Sequence, residues 1–290
     1  MNKILKTAGK DYVVASDTDS IYITLEDLVT SVMGKDADGL KVVKFIDKVC
    51  QESIEPYIDR SYAELANYMR AFDQKMHMKR ENIANKAIWK AKKMYILNVW
   101  NSEGIQYDKP KLKMMGIEAV RSSTPASCRD NIKKALEIIM NEPETNLHQF
   151  VADYKSEFTG LEFDAVSFPR GVNGIEKYSN MSTLYEKGTP IQVKGAIFFN
   201  HLLGKLGLEN KYERISSGEK IKFCYLKTPN PYGFSVISCS NGYMPLEFNL
   251  KPYIDYDKQF EKAFVDPINS IISTIGWNTE KRSTLDSFFE

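Results

Sequence analysis

A chain of 290 residues, with 43% hydrophobic and 27% charged side chains and a net charge of +1, is long enough to bury a core and to form two domains. Its apolar runs fall short of the roughly 20 residues that cross a bilayer, and the start, Met1-Asn2-Lys3-Ile4-Leu5-Lys6, lacks the apolar core of a secretory signal, so a cytoplasmic protein with no membrane partner is expected. The four cysteines, Cys50, Cys128, Cys224 and Cys239, are scattered without a C-x-x-C pair, which argues for reduced thiols and against zinc.

The first predicted element is a strand-turn-strand over residues 11–24, in which the β-branched run Val13-Val14 meets Ser16-Asp17-Thr18-Asp19-Ser20 before Ile21-Tyr22-Ile23. If side chains alternate along the ribbon, Asp17 and Asp19 share one face. Two carboxylates about 4 Å apart repel by roughly 4 kcal/mol at an effective dielectric near 20, so the pattern asks for a divalent cation or a basic group. Magnesium suits hard carboxylate oxygens and shares its shell with phosphate and water. The same spacing also occurs in solvated turns.

A polar connector over 33–39 leads into a long helix, where Val43, Ile46, Cys50, Ile54, Ile58, Leu65, Met69 and Phe72 recur at helical spacing. Pro56 is expected to kink it. Residues 76–98 read as strand-like runs and 111–117 as a further strand. Between Lys75 and Arg121 there are eleven basic residues against four acids, an excess of +7, with Trp89, Tyr95 and Trp100 interleaved. That window fits a duplex-DNA footprint or a solvated surface. Ser123-Thr124-Pro125 marks a helix start, with Thr124 as cap and Pro125 at the first helical position. Further helices are expected over 144–158, 193–207 and 255–275, with strands over 221–226 and 234–237 and a turn at 228–233.

The string Asp17-Thr18-Asp19-Ser20-Ile21, followed by Tyr22, resembles motif C of the B-family DNA polymerases, Y-G-D-T-D-S, with Ala15 and Ser16 in place of the tyrosine and glycine. Lys92-Lys93-Met94-Tyr95 resembles the K-x-Y region of that family. The stretch from Lys111 through Glu118 to Arg121-Ser122-Ser123-Thr124-Pro125 resembles the palm-to-thumb junction of T-even-type bacteriophage polymerases. All three blocks stand in the family's order and spacing. The resemblance implies an α+β fold: a partial palm, antiparallel sheet with a long helix, over 1–116, then a mostly helical thumb over 117–278. Residues 279–290 form a tail in which Leu285, Phe288 and Phe289 resemble a sliding-clamp-binding peptide, one helical turn presenting three apolar side chains. Folding of those aromatics back onto the thumb is the competing expectation.

By the same resemblance Asp19 is the metal-bridging ligand and Asp17 shapes the field near the primer end of a site for two magnesium ions. Lys93 and Tyr95, beside Lys92, hold the primer strand and meet its minor groove. Arg121 stands where the family carries a lysine of the same duty, and Glu81 is an accessory acid, although Lys79 departs from the acid expected beside it. The activity implied is template-directed nucleotidyl transfer on primer-template DNA with dNTP. No motif A of the D-x-x-S-L-Y-P type, no fingers motif of the K-x-x-x-N-S-x-Y-G type and no exonuclease segment are present. The expectation is therefore a carboxy-terminal subunit or fragment, inactive until an amino-terminal polymerase polypeptide completes the site. The alternative is a noncatalytic module that tethers duplex DNA and clamp.

Overall fold

The chain folds into antiparallel sheets and helices, 45% helical and 22% strand, within the α+β class. The computed structural model describes residues 9, 11–117, 121–240 and 242–280. These divide into two units: residues up to Ala87 with Ala91–Met115, and Ile88–Lys90 with the residues from Gly116 on.

In the first unit, β1 (Val13–Asp17) and β2 (Ser20–Ile23) form a two-stranded hairpin in which Asp17 pairs with Ser20 and Ala15 with Tyr22. Directly opposed residues share a face, so Ala15, Asp17, Ser20 and Tyr22 point one way. The connection is two residues long, and Thr18 occupies it with φ 49°, a left-handed conformation that a β-branched side chain resists. After α1 (Glu26–Met33), the side chain of Asp38 accepts a bond from the Lys41 N–H at 3.0 Å and caps the long helix. That helix runs as α2 (Gly39–Val49), a π-turn (Cys50–Ile54) and α3 (Glu55–Tyr68).

Where the proline kink is expected, the helix changes hydrogen-bond register. Glu55 N–H reaches back to the Cys50 carbonyl, and Pro56, which has no N–H to give, falls in the first turn beyond the widened loop. The helix also stops earlier than expected. Arg70 turns left-handed at φ 52°, so Phe72 lies outside it.

Strands β3 (Asn82–Ala91), β4 (Met94–Ser102) and β5 (Ile105–Met115) form a second, separate sheet in that order. Where one palm sheet was expected, the first unit holds two, and 76–98 contains one strand plus the start of another, divided at Lys92-Lys93. Lys93, at φ 60°, makes that two-residue turn. Tyr95, Ile96, Leu97 and Val99 are buried, so β4 is covered on both faces.

The second unit opens with α4 (Ala126–Asn141) and α5 (Glu144–Phe158). Pro125, at ψ 142°, is itself the cap residue and not the first helical one, a shift of one from the expected start. Leu147, Val151, Tyr154 and Phe158 fall on one stripe of α5. Strand β6 (Phe168–Gly171) is not among the expected strands; it contains Pro169 and lies at the sheet edge, where a missing N–H is tolerated. Next comes α6 (Ile191–Leu206), then β7 (Lys220–Tyr225) and β8 (Val236–Ser240), giving sheet order β8-β7-β6. A Cβ on Gly195 of α6 would sit 2.4 Å from Ser238 Oγ, which is how closely helix and sheet approach. The chain then runs through α7 (Tyr256–Phe260), a π-turn (Glu261–Val265) and α8 (Asp266–Ile272), with Pro267 again just past the widened turn. Tyr154 meets Phe260 and Phe264 at ring-centroid distances of 5.6 and 4.9 Å.

Candidate functional site

One face of the hairpin and one face of the β4 sheet carry the predicted residues of the first unit. Asp17 ends β1 and is a third exposed; Lys93 Nζ lies 3.8 Å from its Oδ2. The offset that the acid pair demands is met, for Asp17, by a basic group. Both partners are solvated, with the Lys93 side chain 60% exposed, so the pair is weak and can open. Asp19 sits in the turn itself, exposed, and among the described residues it has neither a hydrogen-bond nor an ion-pair partner. Strand alternation therefore stops at Asp17, and the orientation of Asp19 follows from the turn geometry that Thr18 sets.

Tyr95 lies on β4, paired with Met115, and its hydroxyl oxygen is 3.1 Å from that of Tyr22. The rings are tilted by 60° at a centroid distance of 5.6 Å. Burial first, then the bond to Tyr22, then the negative charges of Glu81 and Asp17 push the Tyr95 phenol up to about 12, so it stays protonated at neutral pH. Glu81 accepts a bond from Lys113 Nζ, which holds its carboxyl below the usual range. Lys113 faces Leu97 across the ladder, two residues from the pair Tyr95 and Met115, so it shares their face.

Lys92 is exposed in the turn before β4. Arg121 belongs to the second unit, where its guanidinium donates to the Gly116 carbonyl at 2.9 Å. The clamp-peptide residues Leu285, Phe288 and Phe289, and Glu118 of the junction block, lie outside the described residues.

The basic window is less free than its count suggests. Arg80 is largely covered, its side chain 11% exposed, and bridges Asp47 and Asn101; Lys93 and Lys113 face acids. Lys109, Lys111 and Lys113 alternate along β5, with Lys111 Nζ 4.2 Å over the Tyr107 ring. Sequence reasoning gave no role to Tyr22 or to the Lys113–Glu81 pair. The two-residue turn was the available signal for Tyr22: it sets Asp17 against Ser20 and Ala15 against Tyr22, and so puts the tyrosine on the acid's face.

Among the described residues no group of three or more His, Cys, Asp or Glu could hold a metal ion by itself. Two hard carboxylates near the surface are nevertheless the donors a magnesium ion takes when phosphate and water complete its shell. All four cysteines are free and buried. No helix among the described residues is long and apolar enough to cross a membrane.

The chain is homologous over its whole length to DNA-directed DNA polymerases of bacteriophages. It is 29% identical to the polymerase of Enterobacteria phage T4 and 30% identical to that of Escherichia phage RB69, in alignments of 301 and 303 positions that take in 100% of this chain. It spans 33% of each of those relatives, their carboxy-terminal third. No protein-family model matches the chain.

Proposed function

We propose that this chain is the carboxy-terminal palm-and-thumb portion of a DNA-directed DNA polymerase, acting on primer-template DNA and dNTP together with a second polypeptide that carries motif A, the fingers and the exonuclease. The end-to-end homology carries the reading. The meeting of Asp17, Lys93 and Tyr95 on facing surfaces of the first unit supports it. The first unit is read as the partial palm, the second as the thumb, and the tail with Leu285, Phe288 and Phe289 as the contact for a sliding clamp.

In nucleotidyl transfer the primer 3′-oxygen forms a bond to the α-phosphorus of the incoming nucleotide while the bond to pyrophosphate breaks. Asp17 and Asp19 would hold magnesium in part, and that ion would supply charge neutralisation at the reacting phosphates. Asp19, exposed and unpartnered among the described residues, offers both oxygens. Asp17 would hold such a cation in place of its weak contact with Lys93, whose ammonium would then be open to a primer phosphate. Tyr95, protonated, presents a hydroxyl to minor-groove acceptors that are nearly alike for all correct pairs, so it tests geometry and not sequence. Glu81, paired with Lys113, adds negative field beside Tyr95.

The need for a partner is supported by the bare apolar stretch of the first unit, where Leu65, Tyr68, Met69 and Phe72 are 47%, 84%, 67% and 107% exposed. The test is reconstitution. Mixing the chain with the complementary polypeptide is expected to yield primer extension that neither gives alone, and Asp19→Ala in the mixture to abolish extension with duplex binding retained. Extension by the purified chain alone would refute the split arrangement. Unaltered extension by the Asp19→Ala mixture would leave the chain as a DNA and clamp tether.

A further inference from the structure

The hairpin with the acid pair and the sheet with Tyr95 share no ladder of backbone hydrogen bonds, because they are separate sheets. Side-chain links between them include, among the described residues, the Asp17–Lys93 pair at 3.8 Å, solvated and weak, and the Tyr22–Tyr95 pair, which combines a hydroxyl contact of 3.1 Å with ring packing. A lone two-stranded ribbon is marginal in water, so such links settle where its turn lies. Tyr95 is 8% exposed and embedded in β4. Tyr22 reaches it from the same face of the hairpin that carries Asp17. A phenol held at both ring and hydroxyl cannot shift without drawing its partner along.

We propose that Tyr22 is a positioning residue that couples the fit of the primer-terminal base pair, met at Tyr95, to the placement of the acid-bearing turn. The proposal rests on the assignment of Tyr95 to the primer end under Proposed function. A correct terminal pair leaves the Tyr95 hydroxyl where Tyr22 holds it. A mismatch displaces the minor-groove acceptor, Tyr95 follows, and the strain passes through Tyr22 to Asp17 and Asp19. Discrimination then appears in the rate of the chemical step and not only in DNA affinity.

The experiment is a double-variant cycle in the assembled polymerase, comparing extension from matched and mismatched primer ends. Tyr22→Phe keeps the ring and removes one hydrogen bond. It is expected to lower the matched-to-mismatched ratio of kcat/KM about fivefold, as loss of one such bond would, mainly through kcat, with KM for dNTP and duplex affinity unchanged. Tyr95→Phe, which loses the minor-groove contact together with the Tyr22 bond, should lower the ratio at least as much, and the double variant should fall no further than Tyr95→Phe alone. If Tyr95→Phe lowers the ratio and Tyr22→Phe does not, or if the two effects add in full, the coupling is refuted while the Tyr95 assignment stands. If neither changes the ratio, that assignment falls and the coupling falls with it.

Discussion

Around Tyr154 in the second unit, Phe158, Phe260 and Phe264 close a core at centroid distances of 5.9, 5.6 and 4.9 Å. In the first unit, by contrast, Leu65, Tyr68, Met69, Phe72 and Met76 stand in solvent within twelve residues of chain, and Val43, Cys50 and Ile83 are among its few fully covered apolar side chains outside β4. Both units bridge a proline with a π-turn, so local helix chemistry is the same in each. They differ in closure: one buries its apolar stripes against itself, while the other combines unburied apolar surface, a left-handed threonine and, in Asp19, a carboxylate unpaired among the described residues. The part of a chain that does chemistry is often the part that packing leaves unfinished.

That contrast can be broken most sharply at Asp19. In the reconstituted enzyme, Asp19→Asn removes several kcal/mol of charge stabilisation and is expected to cut kcat by about 10³-fold, while the melting temperature of the chain stays unchanged. A core position in the second unit should behave in the opposite way. Leu202, wholly buried, is expected to cost about 2–5 kcal/mol when changed to alanine, read from denaturant midpoints. Gly195→Ala should cost about 1–3 kcal/mol, because its Cβ has no room against Ser238.

Alkaline pH separates the units less strongly. Burial pushes the Cys128 thiol from 9.0 up to about 11 and the Cys224 thiol up to about 12. The neutral thiols favour the fold fully below pH 9; above it the unfolded chain ionises first, so stability falls as pH rises toward 11 and 12. Thermal melts between pH 8 and 11 should show that loss, and iodoacetamide at pH 8 should leave both thiols intact in the folded chain. The smallest expected effect on stability is Phe72→Ser, within about 0.5 kcal/mol for the chain alone. The same variant should weaken assembly with the complementary polypeptide about tenfold or more in a pull-down titration; equal affinity would mean that the bare stretch is not the contact.

The sequence alone carried the local structure well. Residues 144–158 form a helix with the stated bounds, the hairpin forms around the acid pair, and the strands near 221 and 236 lie within three residues of expectation. These succeed because hydrophobic period and turn chemistry act over a few residues. The misses share a cause as well. Near Pro56 the helix changes hydrogen-bond register in a π-turn, and the strand over Phe168–Gly171 forms although it contains Pro169, because tertiary placement puts it at an edge.

The residue types of the candidate site, two aspartates, a lysine and a tyrosine in fixed order, were legible from the chain because they follow from short motifs. Their mutual arrangement was not. Which ammonium faces Asp17, that Glu81 is held by Lys113, that Arg80 is tied to Asp47, and that Tyr22 meets Tyr95 across two separate sheets depend on residues 32 to 76 positions apart in the chain. Contacts at such separation carry no periodic signal, and only the folded chain, by bringing strand faces together, decides them.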